Sequence, residues 1–581
     1  MRRNILLPLK ALKVDNTKFL GFDVETKGSK NKFVCASLVN DEICNFYKSQ
    51  EELIKDLTHT HWMRKYKIVA TNLEFDFNAV FGKRTKDIER IYRGKLLACK
   101  VKLKEKQKLN FWDTLSFVPA SVEKLGNTIG IPKLEHPSCF AKQPKNKDEW
   151  NELKDYNIRD SFISYSFMEQ LRKAVNSLGG KMRMTVASTT MDVWKRKYLM
   201  GIQLQPHRNV IQDMYKSYYG GRTEAIRRGC FKKINYYDFN SLYPSVMLEN
   251  EYPDVNSIKV SRYLNLEHEG FSLVLVESPD AHVPILPYKT DKLIFPTGTF
   301  KGWYNHNELR YAIENGYKIK KFFKGYHFTD TINFFKDFVK DLYSKRLKYK
   351  KEGNDVMQMT CKLLLNSLYG KFAQNVQEET KIIHDNELTL NVYDEWEQVN
   401  EIRDNFYALK RKVKRPLSSF ILPVWSSYVT SYARIKLHKA LPKDIIYMDT
   451  DSLMTKRELG DSKELGGLKK EYKLNDVVVV KPKMYYFRDE NNKEYVKLKG
   501  VGRINKEKFF NILDGNKTPI QRFIKFKESV RRSLVPNETL NFFKNINLED
   551  SKRNWLNNFN PDSQEDSLPL GGENLEVFEN V

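Results

Sequence analysis

Residues 236–245, YYDFNSLYPS, and residues 445–452, IIYMDTDS, each run from an apolar, aromatic lead-in onto carboxylates. The first carries Asp238, and the second carries Asp449 and Asp451 around a tight turn. INYYDFNSLYPSVM reads as a strand entering a helix, and DIIYMDTDSLMT as strand, turn and strand. Carboxylates gathered from two such strands repel one another unless cations lie between them, so the pattern suits hard divalent ions held by oxygen. Two ions about 3.5–4 Å apart serve in-line attack of a 3′-hydroxyl on a triphosphate. A third stretch, 362–371 (KLLLNSLYGK), lies in a helix expected over 354–372. At i, i+4 and i+7, Lys362, Asn366 and Tyr369 share one helical face, with Leu363, Leu364 and Leu368 around the other side. A lysine there can neutralise triphosphate charge, Asn366 and Tyr369 can position a nucleotide, and Gly370 leaves room for close backbone approach.

A second set of carboxylates lies in the N-terminal third. In GFDVET (21–26), Asp23 and Glu25 are two apart in an apolar strand context, which puts both on one face. TNLEFDFNAV (71–80) supplies Asp76, with Asn72 and Phe75 beside it. YNIRD (156–160) supplies Asp160, with Tyr156 one helical turn before it. Four carboxylates from three segments suit two further divalent ions that activate a water against a phosphodiester, and a nearby tyrosine can orient that water.

The chain has 581 residues, a formal charge of +26 and 41% hydrophobic residues. That hydrophobic content is too high for a disordered tail protein. Six scattered cysteines without a C-x-x-C pair exclude a disulfide scaffold or thiolate zinc site. No apolar run approaches the ~18 residues of a membrane span. The basic surplus is clustered and points to a polyanionic partner. One cluster is the alternating Lys100, Lys102, Lys104, Lys106 and Lys108, where a hairpin is expected. Others are Arg227, Arg228, Lys232 and Lys233; Lys340 to Lys351, including Arg346 and Lys350; and Lys410 to Arg415. Residues 561–581 carry six acids and no base, which reads as a solvated, mobile tail. Strands are expected over 17–40, helices over 120–130 and 148–175, and hairpins over 381–396 and 475–500, with boundaries near 176–182 and 503–520.

In order and spacing, D-x-E, N-x-x-F-D and Y-x-x-x-D resemble the three exonuclease motifs of proofreading DNA polymerases. D-x-x-S-L-Y-P-S, K-x-x-x-N-S-x-Y-G and Y-x-D-T-D-S resemble motifs A, B and C of family B DNA polymerases. The resemblance implies an α+β multi-domain chain: a ribonuclease H-like 3′–5′ exonuclease domain, then a right-hand polymerase domain of palm, fingers and thumb. It implies polymerase metal ligands at Asp238 and Asp451 with Asp449 near the primer end, and exonuclease ligands at Asp23, Glu25, Asp76 and Asp160. Both sites would use Mg²⁺, two ions each, with Mn²⁺ as substitute. Tyr156 and Lys133 join the exonuclease site, and Asn72, Phe75, Thr114 and Leu115 hold single-stranded primer ends. Tyr243 stacks under the sugar and excludes a 2′-hydroxyl, while Lys350, Lys362, Asn366 and Tyr369 bind nucleotide. Tyr218, Gly220 and Gly221 match the Y-x-G-G link between domains, and Lys483 and Tyr485 match the K-x-Y motif that holds the primer terminus.

Two stretches after motifs A and B match in place and length the insertions of protein-primed polymerases from linear phage genomes and linear plasmids. The expected division is therefore 1–180 exonuclease, 181–254 first part of the palm, 255–330 first insertion, 331–375 fingers, 376–420 second insertion, 421–503 second part of the palm, and 504–581 thumb and acidic tail. The implied partners are a DNA template-primer, deoxynucleoside triphosphates and a terminal protein whose Ser, Thr or Tyr hydroxyl primes synthesis. A membrane partner is not expected, and the chain is expected to act as a monomer. The expected setting is the cytoplasm of a phage-infected cell, or a mitochondrion for a linear plasmid. The same catalyst primed by RNA or without a primer, and an inactive polymerase-like nucleic-acid-binding protein, are the alternatives.

Overall fold

The computed structural model describes residues 5–572 apart from 83–87, 94, 103–107, 200–202, 205–207, 375–377, 385–396, 403–405, 413–417, 502–503, 526–527, 529–537 and 545. The N-terminal part is built on β1 (Lys18–Lys27), β2 (Lys32–Val39), β3 (Cys44–Tyr47), β4 (Tyr66–Ala70), β5 (Ile88–Arg93), β6 (Lys95–Lys102) and β7 (Lys108–Asp113). They form one seven-stranded sheet in the order β3-β2-β1-β4-β7-β6-β5, with β4 parallel to both β1 and β7 and the other pairs antiparallel. With it go α1 (Gln50–His59), α2 (Leu73–Phe81), α3 (Val122–Thr128) and α4 (Lys147–Ser177).

One contact fixes how the 31-residue α4 lies on this sheet. Side chains alternate along β1, so Phe22 and Val24 enter the core while Gly21, Asp23 and Glu25 share the opposite face. A Cβ on Gly21 would stand 2.0 Å from the Ser161 carbonyl oxygen, so only glycine lets α4 settle this closely. The Ser37 and Ser161 hydroxyls, 2.7 Å apart, close the gap on the β2 side. Asp160, next to Ser161, is thereby delivered to Asp23 and Glu25.

In chain order there follow α5 (Val186–Lys197), α6 (Ile211–Lys216), β8 (Thr223–Ala225), β9 (Arg227–Phe239), α7 (Leu242–Glu249) and β10 (Tyr252–Pro253). Residues 258–332 hold β11 (Ile258–Ser261), β12 (Glu269–Ser278), β13 (Tyr288–Lys289), β14 (Leu293–Ile294), β15 (Gly298–Asn305), α8 (His306–Glu314), β16 (Lys318–Phe328) and β17 (Thr331–Ile332). Then come α9 (Lys336–Lys351) and α10 (Asp355–Phe372), which pack as a hairpin, and β18 (Glu378–His384), β19 (Glu397–Ile402) and β20 (Phe406–Lys412), a three-stranded sheet of order β18-β20-β19. The remainder is α11 (Pro423–Lys439), β21 (Tyr447–Asp449), β22 (Ser452–Thr455), β23 (Leu468–Lys481), β24 (Met484–Asp489), β25 (Glu494–Leu498), α12 (Lys506–Leu513), β26 (Thr518–Phe523), β27 (Thr539–Lys544) and β28 (Gln564–Asp566).

An eight-stranded sheet organises this half: β25-β24-β23-β9-β22-β21-β8 in order, with β28 also paired to β9. The antiparallel register sets Ser452 opposite Asp238, so the two carboxylate-bearing stretches are hydrogen-bonded neighbours. Behind the sheet, Trp194 of α5 and Trp425 of α11 are fully buried and meet Phe372 of α10 edge-on, at 5.3 and 5.0 Å. Each indole N–H finds a carbonyl, at Phe334 and Pro253 respectively, so neither ring leaves a polar group unpaired.

Two expectations need correction. The acidic C-terminal stretch is not a free tail through residue 572: β28 pairs with β9, Glu565 takes the Arg228 guanidinium at 2.8 Å, and Asp566 takes Arg227 at 2.5 Å. Arg228, 1% exposed, is therefore an internal cation and not part of a DNA-facing cluster. Acidic composition reads as solvated until a partner for it appears elsewhere in the chain, and here the partner lies more than 300 residues upstream. Glu573, Glu576 and Glu579 lie outside the described residues, as do Lys104, Lys106, Lys414 and Arg415. Lys100 and Lys102 fall on β6, which β5 separates from the sheet edge.

Candidate active sites

In the N-terminal site, one carboxylate oxygen from each of Asp23, Glu25 and Asp160 lies within 4.8 Å of the others. Burial, and then the neighbouring Asp76, Asp160 and Glu25 charges, hold the Asp23 carboxyl far above the ordinary range. Burial and the Asp160 charge push Glu25 up to about 7. Asp160 is also raised by burial, although Lys133 pairs with one of its oxygens; its other oxygen is buried with no hydrogen-bond partner. A buried carboxylate oxygen left open, beside two more carboxylates, is the donor set of a hard divalent cation. Asp76 borders this trio: its charge is the largest acting on Asp23, its Oδ1 accepts from the Val24 backbone N–H at 3.2 Å, and burial raises its carboxyl as well.

The other N-terminal residues fall around this centre. The Lys133 ammonium sits 4.4 Å from the Tyr156 ring centroid, and the Tyr156 hydroxyl is 3.0 Å from His136 Nδ1. Asn157, one residue beyond Tyr156, donates to Asp23 at 2.7 Å and was not picked out from the sequence. Asn72 and the Thr114–Leu115 pair come together through Asp113, whose Oδ1 accepts from the backbone N–H groups of Asn72 and Leu115 at 3.2 and 2.9 Å. The Thr114 hydroxyl is turned inward to Thr71. Phe75 packs against Phe523 of β26 at 5.2 Å, which ties this site to the C-terminal hairpin.

The second site lies where β9, β21 and β22 converge. The Phe239 N–H donates to the Asp451 carbonyl at 2.7 Å, and the Thr450 N–H to the Arg222 carbonyl at 2.6 Å, locking the turn against its neighbours. Burial and the Asp451 charge push Asp238 up to about 7, and burial followed by Asp449 raises Asp451. Asp449 is treated differently: Lys483 donates to both its oxygens at 3.0 Å and Thr223 to one at 2.8 Å. Among the described residues, Asp238, Asp449 and Asp451 do not close to the distance of the N-terminal trio, and Asp449 is paired with Lys483. Asp238 and Asp451 are thus the oxygen pair left for a cation.

Around them, Tyr243 and Tyr369 stack at 4.5 Å between centroids. A Cβ on Gly221 would stand 2.8 Å from Thr450 Cγ2 and 3.1 Å from the Tyr243 hydroxyl, so this glycine lets the link segment lie against both stretches. Lys362 and Asn366 are exposed on α10, and the Lys362 charge acts on Asp238. Lys350 is exposed on α9 with Arg346 one turn before it, and Arg346 donates to the Ser241 hydroxyl at 2.9 Å. Tyr485 is 9% exposed and packs on Tyr447 at 5.2 Å, beneath the Asp449 turn. Arg434, 3% exposed at its side chain, pairs with Glu308 and donates to the Tyr219 and Gly220 carbonyls at 2.8 and 2.9 Å. A charged residue in the apolar helix α11 was its only signal in the sequence.

Four of the non-glycine residues with positive φ mark these motifs: Asn72 (68°), Ser241 (55°), Thr450 (64°) and Lys483 (62°). Backbone held in this region persists only where surrounding contacts over-determine it.

A family profile described as "DNA polymerase type B, organellar and viral" matches residues 133–458, more than half of the chain, and the chain belongs to that family. It is 31% identical over 381 residues to a "Probable DNA polymerase" of Podospora anserina, a match covering 56% of this chain and 31% of that protein. It is 28% identical over 344 residues to the "DNA-directed DNA polymerase" of Enterobacteria phage PRD1, covering 56% and 59%. The chain therefore spans less than two thirds of either relative. Its fold is shared with the structure titled "Phi29 DNA polymerase complexed with primer-template DNA (post-translocation binary complex)", at a TM-score of 0.69 and 17% identity, over 91% of this chain and 99% of that one. The expected fold class, an α+β multi-domain chain, holds.

The crowding at Glu25 has a measurable sign. An acid raised from 4.5 to about 7 binds more protons folded than unfolded, so its contribution to stability falls as pH rises through that window. In chelator, Glu25→Gln is expected to stabilise the protein at pH 8 by about 1 kcal/mol and to have little effect near pH 5. Mg²⁺ is expected to raise the melting temperature of the wild type more than that of the variant. Thermal unfolding across pH checks this, and a variant that melts below wild type in chelator at pH 8 contradicts it.

Proposed function

We propose that this chain is a template-directed DNA polymerase with a 3′–5′ exonuclease, and that it starts synthesis on a hydroxyl of a terminal protein. The observation that carries the polymerase reading is the convergence of Asp238, on β9, and Asp451, in the turn leading into the paired strand β22, with the Lys362 charge of α10 acting on Asp238. Mg²⁺, when bound by Asp238 and Asp451, would supply charge neutralisation for a triphosphate and activation of a 3′-hydroxyl. The chain's own groups do the rest. Lys362, Lys350 and Arg346 offer cations to the phosphates from α9 and α10. The Tyr243–Tyr369 stack would form the floor beneath the sugar and exclude a 2′-hydroxyl. Lys483 donates to both oxygens of Asp449 at the strand end where a primer terminus would lie, and Tyr485 supports that turn from below.

In the exonuclease reading, Asp23, Glu25 and Asp160 hold the cation, Asn157 orients Asp23, and Lys133 and Tyr156 flank the scissile phosphate and its water. Asn72, Phe75 and Leu115 receive a frayed single strand. The domain division expected from the sequence is carried forward as part of this proposal, with residues 181–254 and 421–503 as palm, 331–375 as fingers and 504–581 as thumb. Protein priming is supported by the two inserted sheets, at 258–328 and 378–412, and by membership of an organellar and viral family. That membership agrees with either a phage or a mitochondrial setting. Among the described residues no helix is long and apolar enough to cross a membrane.

Separation of the activities tests the two-site reading. Asp449→Ala is expected to abolish Mg²⁺-dependent primer extension, by at least about 10³-fold, while single strands are still degraded. Asp23→Ala is expected to do the reverse, and loss of both activities in either folded variant overturns the assignment. Priming is tested with candidate terminal proteins encoded beside this gene: labelled deoxynucleotide should become covalently attached to one of them in an Asp449-dependent way. Labelling of none, with efficient extension of an RNA primer, would replace this reading by the RNA-primed one.

A further inference from the structure

Away from both carboxylate centres, the sheet β11-β16-β12-β15 leaves part of one face open. Its other face is closed by α8, whose Leu309 and Ala312 pack with Val274, Val276 and Phe300. On the open face the register lines up Lys301 of β15, Leu275 of β12 and Lys321 of β16 in one row. β16 does not alternate simply. Its pairing with β12 passes from Lys324 to Phe322 and from Lys321 to Ile319, so Phe323 and Lys320 are each an extra, bulged residue. Bulges re-aim side chains, and these two bring Lys318, Lys320, Lys321, Phe323 and Lys324 all to the surface of one short strand.

Phe323 is 41% exposed, with the ammonium groups of Lys301 and Lys321 at 4.8 and 5.0 Å from its ring centroid. Two of the strand's lysines are neutralised in place, Lys320 by Glu277 and Lys324 by Asp213. Lys301, Lys318 and Lys321 have no ion pair among the described residues. The result is an exposed ring set among uncompensated cations on a rigid sheet. A surface built only for solubility would carry the lysines without the ring. Lysine stems are flexible, so an ammonium can leave the ring for a phosphate while a base takes its place against the π-face. Bases in a duplex have no free face to offer, whereas an unpaired strand presents both base and phosphate.

We propose that this face, centred on Phe323 with Lys301, Lys318 and Lys321, binds single-stranded DNA at a site separate from both carboxylate centres. The choice of DNA over RNA rests on the polymerase reading above; the stacking site itself does not. Binding would be indifferent to base sequence and sensitive to salt.

Photocrosslinking of the full chain tests this, using an oligothymidylate that carries 5-iodouracil at one position. The expected result is an adduct at Phe323, located by mass spectrometry of the digest. The adduct should fall at least about tenfold in Phe323→Leu and persist in Phe323→Tyr. In Lys301→Gln/Lys321→Gln, the salt dependence of its yield should weaken by a log–log slope of about 1.4, for two phosphate contacts. Primer extension on a short template, measured on the same preparations, reports the polymerase reading independently and should be unchanged in these variants. Adducts elsewhere with none in residues 318–324 overturn the proposal, as does equal competition by duplex DNA. Equal competition by an RNA strand of the same length overturns its assignment to DNA.

Discussion

Like charges forced together inside a folded chain are the constraint on which this structure turns. Asp23, Glu25 and Asp160 are drawn from a strand and a long helix into one partly buried cluster; burial raises all three, and neighbouring carboxylates raise Asp23 and Glu25 further. Asp238, on β9, and Asp451, in the turn before β22, repeat the arrangement, and both are raised by burial and a neighbouring carboxylate. Such clusters oppose folding, so other features of the chain must hold them in place. The close seat of α4 on Gly21 does so in one half and the register of β9 with β22 in the other. Asp449, beside Asp238 and Asp451, is instead met by the protein's own donors, Lys483 and Thr223.

The backbone bears part of the same load. Asn72, Ser241, Thr450 and Lys483 all sit at positive φ, and each lies at the point where a functional motif changes direction. Hydrogen bonds from outside the motif hold all four: Asp113 takes the Asn72 N–H, Arg346 reaches Ser241, the Arg222 carbonyl takes the Thr450 N–H, and the Tyr447 hydroxyl takes the Lys483 N–H. Arg434 extends the pattern to the segment just before β8 by fixing the Tyr219 and Gly220 carbonyls, so Gly221 stays under Thr450 and Tyr243. The two sites are linked through packing as well as through sequence, since Phe75 beside the first centre touches Phe523 in the C-terminal hairpin.

Much of this was legible in the sequence because it is local. Alternation in β1 put Asp23 and Glu25 on one face, helical spacing joined Tyr156 to Asp160, and the apolar lead-ins to Asp238 and Asp449 marked strands. Lys362, Asn366 and Tyr369 lie on the more accessible side of α10, as their spacing requires, while Leu364 and Leu368 are buried. What could not be read depends on distant partners. Nothing local says that Glu565 will neutralise Arg228, that Arg346 will meet Ser241, or that Arg434 will turn inward to Glu308. Nor does spacing reveal a bulge: the exposure of Phe323 follows from the register of β16 against β12.

The central claim is that two separate carboxylate centres in one chain are each built to hold divalent cations. Anomalous diffraction from crystals grown with Mn²⁺, a primer-template and a non-hydrolysable deoxynucleoside triphosphate addresses it most directly. Anomalous density is expected between Asp23, Glu25 and Asp160, and separately between Asp238 and Asp451 at the triphosphate. Density at only one of these centres, or at neither with Mn²⁺ bound elsewhere on the chain, would contradict it.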